Sequence, residues 1–190
     1  RITVTVGEKK VELITNKNGK DSVNMDTAGT YQVTSVFGGN SYLKASSKTS
    51  KVVISSTIQA SDMKKVYNSG EDFKATFLTS TGAKLSGKMV SFIVGGVVYN
   101  ATTNSKGVAV LNCKLPAGSY NITVVNPVTG EKVTLKATIT KRIVNNKDLT
   151  MDYLDGSVYK VRVVGDDGKY VGAGQIVTFK LNGKTTKVKT

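Results

Sequence analysis

The chain carries few side chains of the kinds that enzymes use for catalysis. None of its 190 residues is histidine. General acid–base catalysis needs histidine or positioned carboxylates, and the 13 acidic residues lie mainly beside turns, as in NSGED, DYLDGS and GDDGK. We therefore expect no enzymatic activity, no catalytic residues and no cofactor.

The one cysteine, Cys113, has no histidine to act as its base, which argues against a catalytic nucleophile. It alternates with Ala109 and Leu111 along one strand face, and the residue aligned with it in an earlier repeat is Met25. We expect Cys113 to fill a core position as a small hydrophobic residue. A reactive thiol and an intermolecular disulfide are the alternatives.

Metal binding and internal cross-linking have weak sequence signals. Asp166-Asp167-Gly168 lacks the DxDxDG loop with a distal glutamate that calcium loops use, so a plain turn is predicted there. A Lys-to-Asn isopeptide bond needs a buried acid, whereas Glu71, Asp72 and Glu131 all flank predicted turns. We expect neither a metal site nor this cross-link.

Two sequons are candidate modification sites. Asn100-Ala101-Thr102 and Asn121-Ile122-Thr123 fit the acceptor pattern for N-glycans, if the protein is exported. Both asparagines lie on predicted strands, at positions that alternation assigns to the outer face. They are also expected by chance in a threonine-rich chain.

The elements that position these residues are predicted to be strands. Phe73, Ala75 and Phe77 alternate with polar neighbours, and Gly95-Gly96 separates two strands in MVSFIVGGVVYNATT, as a tight hairpin requires. Residues 58–143 hold seven or eight short strands, which favours an all-β, antiparallel, two-sheet sandwich. Tyr31 and Tyr120 each follow a glycine by two residues and suit a tyrosine corner. The predicted inward residues are Phe73, Phe77, Val90, Phe92, Val94, Leu111, Tyr120, Ile122, Val124, Leu135 and Ile139.

The chain repeats itself at intervals of about 86 residues. Gly70, Phe73, Gly82 and Phe92 recur as Gly156, Tyr159, Gly168 and Phe179, and Val6, Gly19, Gly29 and Tyr31 recur as Val94, Gly107, Gly118 and Tyr120. Residues 1–57 match the second part of a repeat, residues 58–143 form a complete repeat, and residues 144–190 match the first part. We predict tandem modules divided at these boundaries.

The charge pattern fits a solvated surface. The formal net charge is +14, and each of the three segments is positive, with lysines at alternate strand positions and in turns. Attraction to acidic cell-wall or surface glycans is the functional alternative. Nucleic acid is not expected as a partner, because the chain has no tryptophan and no aromatic cluster among its basic residues. No apolar run is long enough for a membrane helix, and export or anchoring signals would have to lie outside this sequence.

The segment KLSGKMVSFIVGGVVYNATTNSKGVAVLNCKLPAGSYNITVVNP resembles the immunoglobulin-like repeats of large adhesin-like surface proteins, especially those of methanogenic archaea. The resemblance covers residues 58–143, and the two flanking segments follow it in part. It implies an immunoglobulin-like sandwich, an extracellular location at the cell surface, and a role as a stalk, spacer or adhesive module. It supplies no catalytic residues, and the basic charge departs from the acidic character of many surface adhesins.

Two other functions remain open at this stage. Residues 144–190 and 1–57 together supply one whole repeat with a duplicated hairpin, so neighbouring copies could complete each other head to tail and build a filament; an arbitrary cut through a longer array is the alternative. A glycan-binding module would need an exposed aromatic surface. Its candidates are Tyr42, Tyr67, Tyr99 and Tyr170.

Overall fold

The computed structural model describes residues 1–112 and 114–190, so the prediction for Cys113 lies outside the described residues. The described part contains strands and no helix, which confirms the predicted all-β class. Over the same residues, no helix is long and apolar enough to cross a membrane. The chain divides into two compact units, residues 1–56 and 57–190.

The first unit is a single four-stranded antiparallel sheet with the order β2-β1-β3-β4. Its strands are β1 (Ile2–Val6), β2 (Lys9–Leu13), β3 (Gly29–Phe37) and β4 (Ser46–Ile54). Val4 is buried, while Ile2 and Val6 on the same face are half-buried. One face of this sheet is therefore only partly covered.

The second unit begins with eight strands that form two sheets. They are β5 (Ile58–Gln59), β6 (Met63–Val66), β7 (Phe73–Phe77), β8 (Met89–Val94), β9 (Val97–Thr102), β10 (Val108–Leu111), β11 (Gly118–Val125) and β12 (Lys132–Thr140). One sheet has the order β10-β7-β5 and the other the order β6-β12-β11-β8-β9. The number of strands agrees with the prediction for residues 58–143.

One strand pair departs from the predicted antiparallel arrangement. Strand β5 pairs antiparallel with β7, but β6 runs parallel to β12 in the other sheet. A parallel pair needs a long connection between its strands, and most of the repeat lies between β6 and β12. Residues 58–66 thus contribute an edge strand to both sheets.

The two sheets share one hydrophobic core. Phe92 meets Phe73 edge to face at 5.9 Å between ring centroids, and it meets Phe77 at 6.2 Å. Of the predicted inward residues, Tyr120 and Leu135 are half-buried and the others are buried. The core cluster comprises Ile58, Phe73, Ala75, Phe77, Leu85, Val90, Phe92, Val94, Ala109, Leu111, Ile122, Val124 and Ala137.

Glycine turns join the strands as the sequence predicts. Gly95 and Gly96 have φ of 56° and 83° and connect β8 to β9. These positive values favour glycine because it has no Cβ. The hairpin prediction is confirmed.

Four further strands follow the complete core. They are β13 (Ile143–Val144), β14 (Arg162–Val163), β15 (Ile176–Leu181) and β16 (Lys184–Lys189). Strand β13 pairs antiparallel with β14, and β15 forms a hairpin with β16 about Asn182-Gly183. Val164 is buried, but most side chains of residues 145–190 are exposed.

Candidate functional site

Arg142 connects two successive segments of the second unit. Its Nε donates to the Tyr67 carbonyl oxygen at 3.1 Å, and Nη1 donates to the Val164 carbonyl oxygen at 3.1 Å. Nη2 donates to Asp166 Oδ1 at 2.5 Å, in an ion pair with that carboxylate. Tyr67 directly follows β6 and Val164 directly follows β14. One guanidinium therefore holds the end of β6 against the turn that begins after β14.

The turn after β14 presents Asp166 to Arg142. Gly165 N–H donates to the Lys169 carbonyl at 2.7 Å, and Gly168, with φ 79°, donates its N–H to the Gly165 carbonyl at 3.1 Å. Asp167 Oδ1 accepts the Lys169 N–H at 3.0 Å. Asp166 and Asp167 thus stabilise a junction and a turn. The described residues hold no group of three metal-ligating acidic, histidine or cysteine side chains.

A matching backbone pattern occurs about 86 residues earlier in the chain. An isolated bridge joins Leu78 to Lys84, and another joins Val164 to Tyr170. Leu78 N–H donates to the Thr57 carbonyl at 2.8 Å, just as Val164 N–H donates to the Arg142 carbonyl at 2.8 Å. Thr57 and Arg142 therefore occupy equivalent backbone positions with different side chains.

A cleft of about 900 Å³ adjoins the Arg142 contacts. Lys64, Lys65, Lys141 and Lys169 make its lining basic, and Glu71, Asp166 and Asp167 add carboxylates. Lys65 Nζ donates to the Glu71 carbonyl oxygen at 2.5 Å. Tyr170 lies at the cleft with 58% of its surface exposed, and the Arg162 guanidinium sits 4.8 Å from its ring centroid. The cleft thus combines cations with an accessible aromatic ring.

A second polar cluster surrounds the fully buried Asn126, which follows β11 and bonds to Thr57 just before β5. Asn126 Nδ2 donates to Thr57 Oγ1 at 3.0 Å and to the Leu78 carbonyl at 2.8 Å. Thr57 Oγ1 donates in turn to Glu131 Oε2 at 2.6 Å, and the Thr57 N–H donates to the same oxygen at 2.6 Å. Thr57 Oγ1 also contacts Thr129 Oγ1 at 2.8 Å. Glu131 flanks a turn as predicted, yet it is half-buried and bonded to Thr57.

The sequon asparagines are exposed on separate strands. Asn100 lies on β9, where its Oδ1 accepts a hydrogen bond from Ser91 Oγ at 2.8 Å, and Asn121 lies on β11. Their exposure leaves both side chains accessible for modification. Glycosylation itself stays a prediction.

The two tyrosines that suit a corner make equivalent contacts. Tyr31 Oη donates to the Thr27 carbonyl at 2.9 Å, and Tyr120 Oη donates to the Pro116 carbonyl at 3.0 Å. A Cβ on Gly118 would stand 3.2 Å from Tyr120 Oη, so the glycine leaves room for the ring. Each hydroxyl binds the backbone four residues before its own position.

The four tyrosines that could form an exposed aromatic surface lie in different environments. Tyr42 is 92% exposed in the first unit, and Tyr67 is 40% exposed beside Arg142. Tyr99 is half-buried and packs against the core, so it is not part of an exposed surface. Tyr170 is the candidate that combines exposure with a cleft.

Sequence reasoning missed Arg142, Thr57 and Asn126. The segment NPVTG, from Asn126 to Gly130, is the turn that the sequence predicts beside Glu131, and nothing more is predicted for it. An asparagine that opens a turn often bonds the backbone two residues on, and Asn126 Oδ1 accepts the Val128 N–H at 3.0 Å. Nothing local in the sequence indicates that Thr57 or Leu78 lies nearby.

Comparison with known proteins gives distant likenesses. No protein-family model and no curated protein matches the chain. Among solved structures, the Bacteroides ovatus mixed-linkage glucan utilization locus protein SGBP-B, in complex with a mixed-linkage heptasaccharide, is 15% identical with a TM-score of 0.33, over 81% of this chain and 43% of that chain. A 1.5-MDa bacterial ice-binding adhesin is 16% identical with a TM-score of 0.25, over 74% of this chain and 52% of that chain. The Bacillus anthracis TIE protein is 16% identical with a TM-score of 0.19, over all of this chain and 43% of that chain. The chain spans about half or less of each matched chain, and likeness at this level does not assign it to a family.

Proposed function

We propose that this chain is a stalk or spacer of tandem immunoglobulin-like modules, with an adhesive role, in an extracellular cell-surface protein. The observation that carries the proposal is the position of Arg142, whose guanidinium bonds Tyr67 in one segment and Val164 and Asp166 in the next. Contacts of this kind restrict the angle between successive modules. A restricted angle keeps a chain of modules extended.

The strand order supports an immunoglobulin-like module. Such sandwiches place the first, second and fifth strands in one sheet and the strands of the third, sixth and seventh positions in the other. The sheets β10-β7-β5 and β6-β12-β11-β8-β9 fit this arrangement. The first strand position is divided, because β5 lies in one sheet and β6 lies in the other. The arrangement explains why β6 lies parallel to β12.

Recurring geometry supports the tandem arrangement. The hairpin β8–β9 is closed by Gly87 N–H to the Thr103 carbonyl at 2.9 Å, and the hairpin β15–β16 is closed by Gly174 N–H to the Thr190 carbonyl at 2.9 Å. The side chains of the two threonines repeat the pattern, because their Oγ1 atoms accept the Lys88 and Gln175 N–H groups at 3.0 Å and 3.1 Å. We propose that one module ends at residue 143 and that the next begins at residue 144.

The junction is tested by the width of a distance distribution. Spin labels are placed on Lys74→Cys and Lys160→Cys in a Cys113→Ser background, and the distances are measured by double electron–electron resonance. We expect a narrow distribution with Arg142 and a broad one with Arg142→Ala. Arg142→Lys is the matched control: it keeps the charge but cannot fork to three acceptors, so it should give an intermediate width. A distribution equally narrow in all three proteins contradicts a junction role.

The cellular location is tested separately. Antibodies raised against residues 58–143 should label intact cells of the source organism before permeabilisation. Labelling that appears only after permeabilisation contradicts an extracellular role.

A second candidate function is binding of an acidic glycan in the cleft beside Arg142. The favouring observation is Tyr170, which is exposed, is contacted by Arg162 and lies among Lys64, Lys65 and Lys141. Sugar rings pack on aromatic faces, and lysines attract carboxylates at low salt. We expect polygalacturonic acid to bind in calorimetry, with binding lost at high salt and in the triple variant K64A/K65A/K141A. The variant K44A/K48A/K51A removes the same charge from the first unit and should bind normally.

Assembly into a filament is the third candidate. Its favouring observation is an apolar groove of about 480 Å³ lined in part by Tyr159, Val161, Val177 and Phe179. Tyr159 is 49% exposed, whereas its counterpart Phe73 is 3% exposed under the sheet that contains β8 and β11. In the repeat alignment, the sheet that contains β8 and β11 corresponds to the four-stranded sheet of the first unit. We therefore propose that the first unit of a second copy fills the groove. Negative-stain microscopy over a concentration series should show filaments, and sedimentation that finds only monomer at high concentration contradicts the assembly.

A further inference from the structure

We propose that Thr57 and Asn126 form an internal ester cross-link, in which the Thr57 side-chain oxygen replaces the amide nitrogen of Asn126 and ammonia is released. The inference rests on the buried cluster around Asn126 and is independent of the proposed stalk, glycan and filament functions. It places a self-modification site in the second unit, between Thr57, just before β5, and Asn126, in the turn after β11.

The nucleophile and its base are already in contact. The Thr57 hydroxyl donates to Glu131 Oε2 at 2.6 Å. A hydroxyl is a weak nucleophile unless an adjacent base removes its proton, and a contact of 2.6–3.2 Å is the geometry that this activation needs. Glu131 is held in place because the same oxygen accepts the Thr57 N–H at 2.6 Å.

The amide carbon of Asn126 lies close to the nucleophile. Thr57 Oγ1 is 3.0 Å from Asn126 Nδ2, and an amide C–N bond is about 1.33 Å long, so Oγ1 lies no more than about 4.3 Å from Cγ. A near-attack distance is about 3–3.5 Å. The Asn126 amide is held by the Leu78 carbonyl and the Val128 N–H, so the attack requires a rotation about the Thr57 Cα–Cβ bond that moves Oγ1 over the carbonyl plane.

Backbone donors stand where negative charge would develop. Asn126 Oδ1 accepts the Val128 N–H at 3.0 Å and faces the Thr129 N–H at 3.5 Å. Two backbone N–H groups aimed at one carbonyl oxygen stabilise the tetrahedral intermediate of acyl transfer. The stabilisation is strengthened by the low dielectric around a side chain that is 0% exposed.

The step balances without any further reactant. Glu131 takes the Thr57 hydroxyl proton as Oγ1 forms a bond to Asn126 Cγ, and the Cγ–Nδ2 bond then breaks. The proton on Glu131 passes to Nδ2, which leaves as neutral ammonia. Glu131 returns to its carboxylate form, so the products are the ester and ammonia.

The local sequence suppresses the competing reaction of asparagine. Asparagine amides commonly react with the N–H of the following residue to form a succinimide, and residue 127 is proline, which has no N–H. Burial of Asn126 also protects an ester there from hydrolysis. The position equivalent to Thr57 in the next segment is Arg142, which has no hydroxyl. One cross-link in the chain is therefore expected.

The bond would join the start of the repeat to its last hairpin. Thr57 precedes β5, and Asn126 follows β11 at the turn before β12. A covalent bond between these positions closes a loop that contains most of the strands of the repeat, which lowers the entropy of the unfolded chain. Tension applied to the ends of the repeat would then bypass the enclosed strands.

The test is intact-mass spectrometry of the purified wild-type chain, followed by tandem spectrometry of its peptides. We expect a mass lower than that of the unmodified sequence by one ammonia, and a branched peptide that joins Thr57 to Asn126. Hydroxylamine should cleave the branch. Thr57→Ser is the matched control, because it keeps the hydroxyl and should keep the deficit, whereas Thr57→Val should show the unmodified mass.

Two outcomes overturn the proposal. A wild-type mass without the deficit shows that Thr57, Asn126 and Glu131 form hydrogen bonds only. A deficit that persists in Thr57→Val comes from another site, such as a succinimide at Asn18-Gly19 or Asn182-Gly183. Because the wild-type measurement needs no variant, misfolding of Thr57→Val does not prevent the test.

Discussion

Tyr159 meets Phe179 edge to face, with ring centroids 6.2 Å apart and an interplanar angle of 88°. Phe73 and Phe92 have the same relation, at 5.9 Å and 87°. The repeat predicted from the sequence aligns Phe73 with Tyr159 and Phe92 with Phe179, and the second pair is more exposed. The two ring pairs therefore share one geometry and differ in burial.

That difference in burial predicts unequal costs for the same substitution. Phe92→Ala should lower the free energy of unfolding by about 3–5 kcal/mol, because it leaves a cavity in a closed core. Phe179→Ala should cost clearly less, since Phe179 is half-buried beside an open groove. Urea denaturation of both variants and the parent checks the prediction, and equal costs would contradict it.

The tyrosine hydroxyls should each make a small contribution to stability. Tyr120→Phe keeps the ring and removes one hydrogen bond to the Pro116 carbonyl. We expect a loss of about 0.5–1.5 kcal/mol, at the lower end because the bond is exposed. Tyr31→Phe provides the matched case in the first unit. Thermal unfolding measures both, and an unchanged midpoint in both variants would show that the hydroxyls do not stabilise the fold.

Two glycines with positive φ should differ in their tolerance of alanine. A Cβ at Gly107 would lie 2.7 Å from the Phe77 carbonyl oxygen, whereas a Cβ at Gly96 meets nothing within 4 Å. Their φ values are 74° and 83°, so the backbone cost of roughly 1–2 kcal/mol applies to both. Gly107→Ala should lose more stability than Gly96→Ala in chemical denaturation. The reverse order would show that the backbone around Gly107 moves without cost.

The stability of the loop that contains Asp155 should depend on pH in the acid range. The Ser157 backbone N–H, which donates to Asp155 Oδ1 at 2.7 Å, holds the pKa of Asp155 below its ordinary value of 3.8. Because the folded pKa is lowered, the contribution to loop stability is present above pH 3.8 and is lost as the pH falls through the folded pKa. An NMR titration of the Ser157 amide should show this transition, and Asp155→Asn should abolish it. A midpoint at or above the ordinary value would contradict the contact.

The sequons predict modification in the native source. If the protein is exported and glycosylated there, the mass should exceed that of the chain by one or two glycans. Asn100→Gln and Asn121→Gln should each remove one of them, while Asn112→Gln, which is outside a sequon, should remove none. Native protein with the unmodified mass at both tryptic sites would show that neither is used.

Local sequence patterns determined much of this fold. Alternation placed Phe73, Val90, Phe92 and Ile122 in the core, because successive side chains of a strand point to opposite faces. Glycine pairs located the hairpins, since their positive φ is a local requirement. These features depend on residues that are close in the chain, and the structure agrees with them.

Tertiary structure alone decided the contacts on which the candidate sites depend. Tyr67 and Val164 meet at Arg142, and Thr57 meets Asn126 across 69 residues of chain. The parallel pairing of β6 with β12 likewise brings distant segments together. A local sequence pattern cannot predict such contacts. Each contact depends on how the two sheets pack around the core, and on which polar groups are buried by that packing and then need a hydrogen-bond partner. The sequence by itself determined the strands and their inward faces, and the packing of the sheets determined which distant side chains meet.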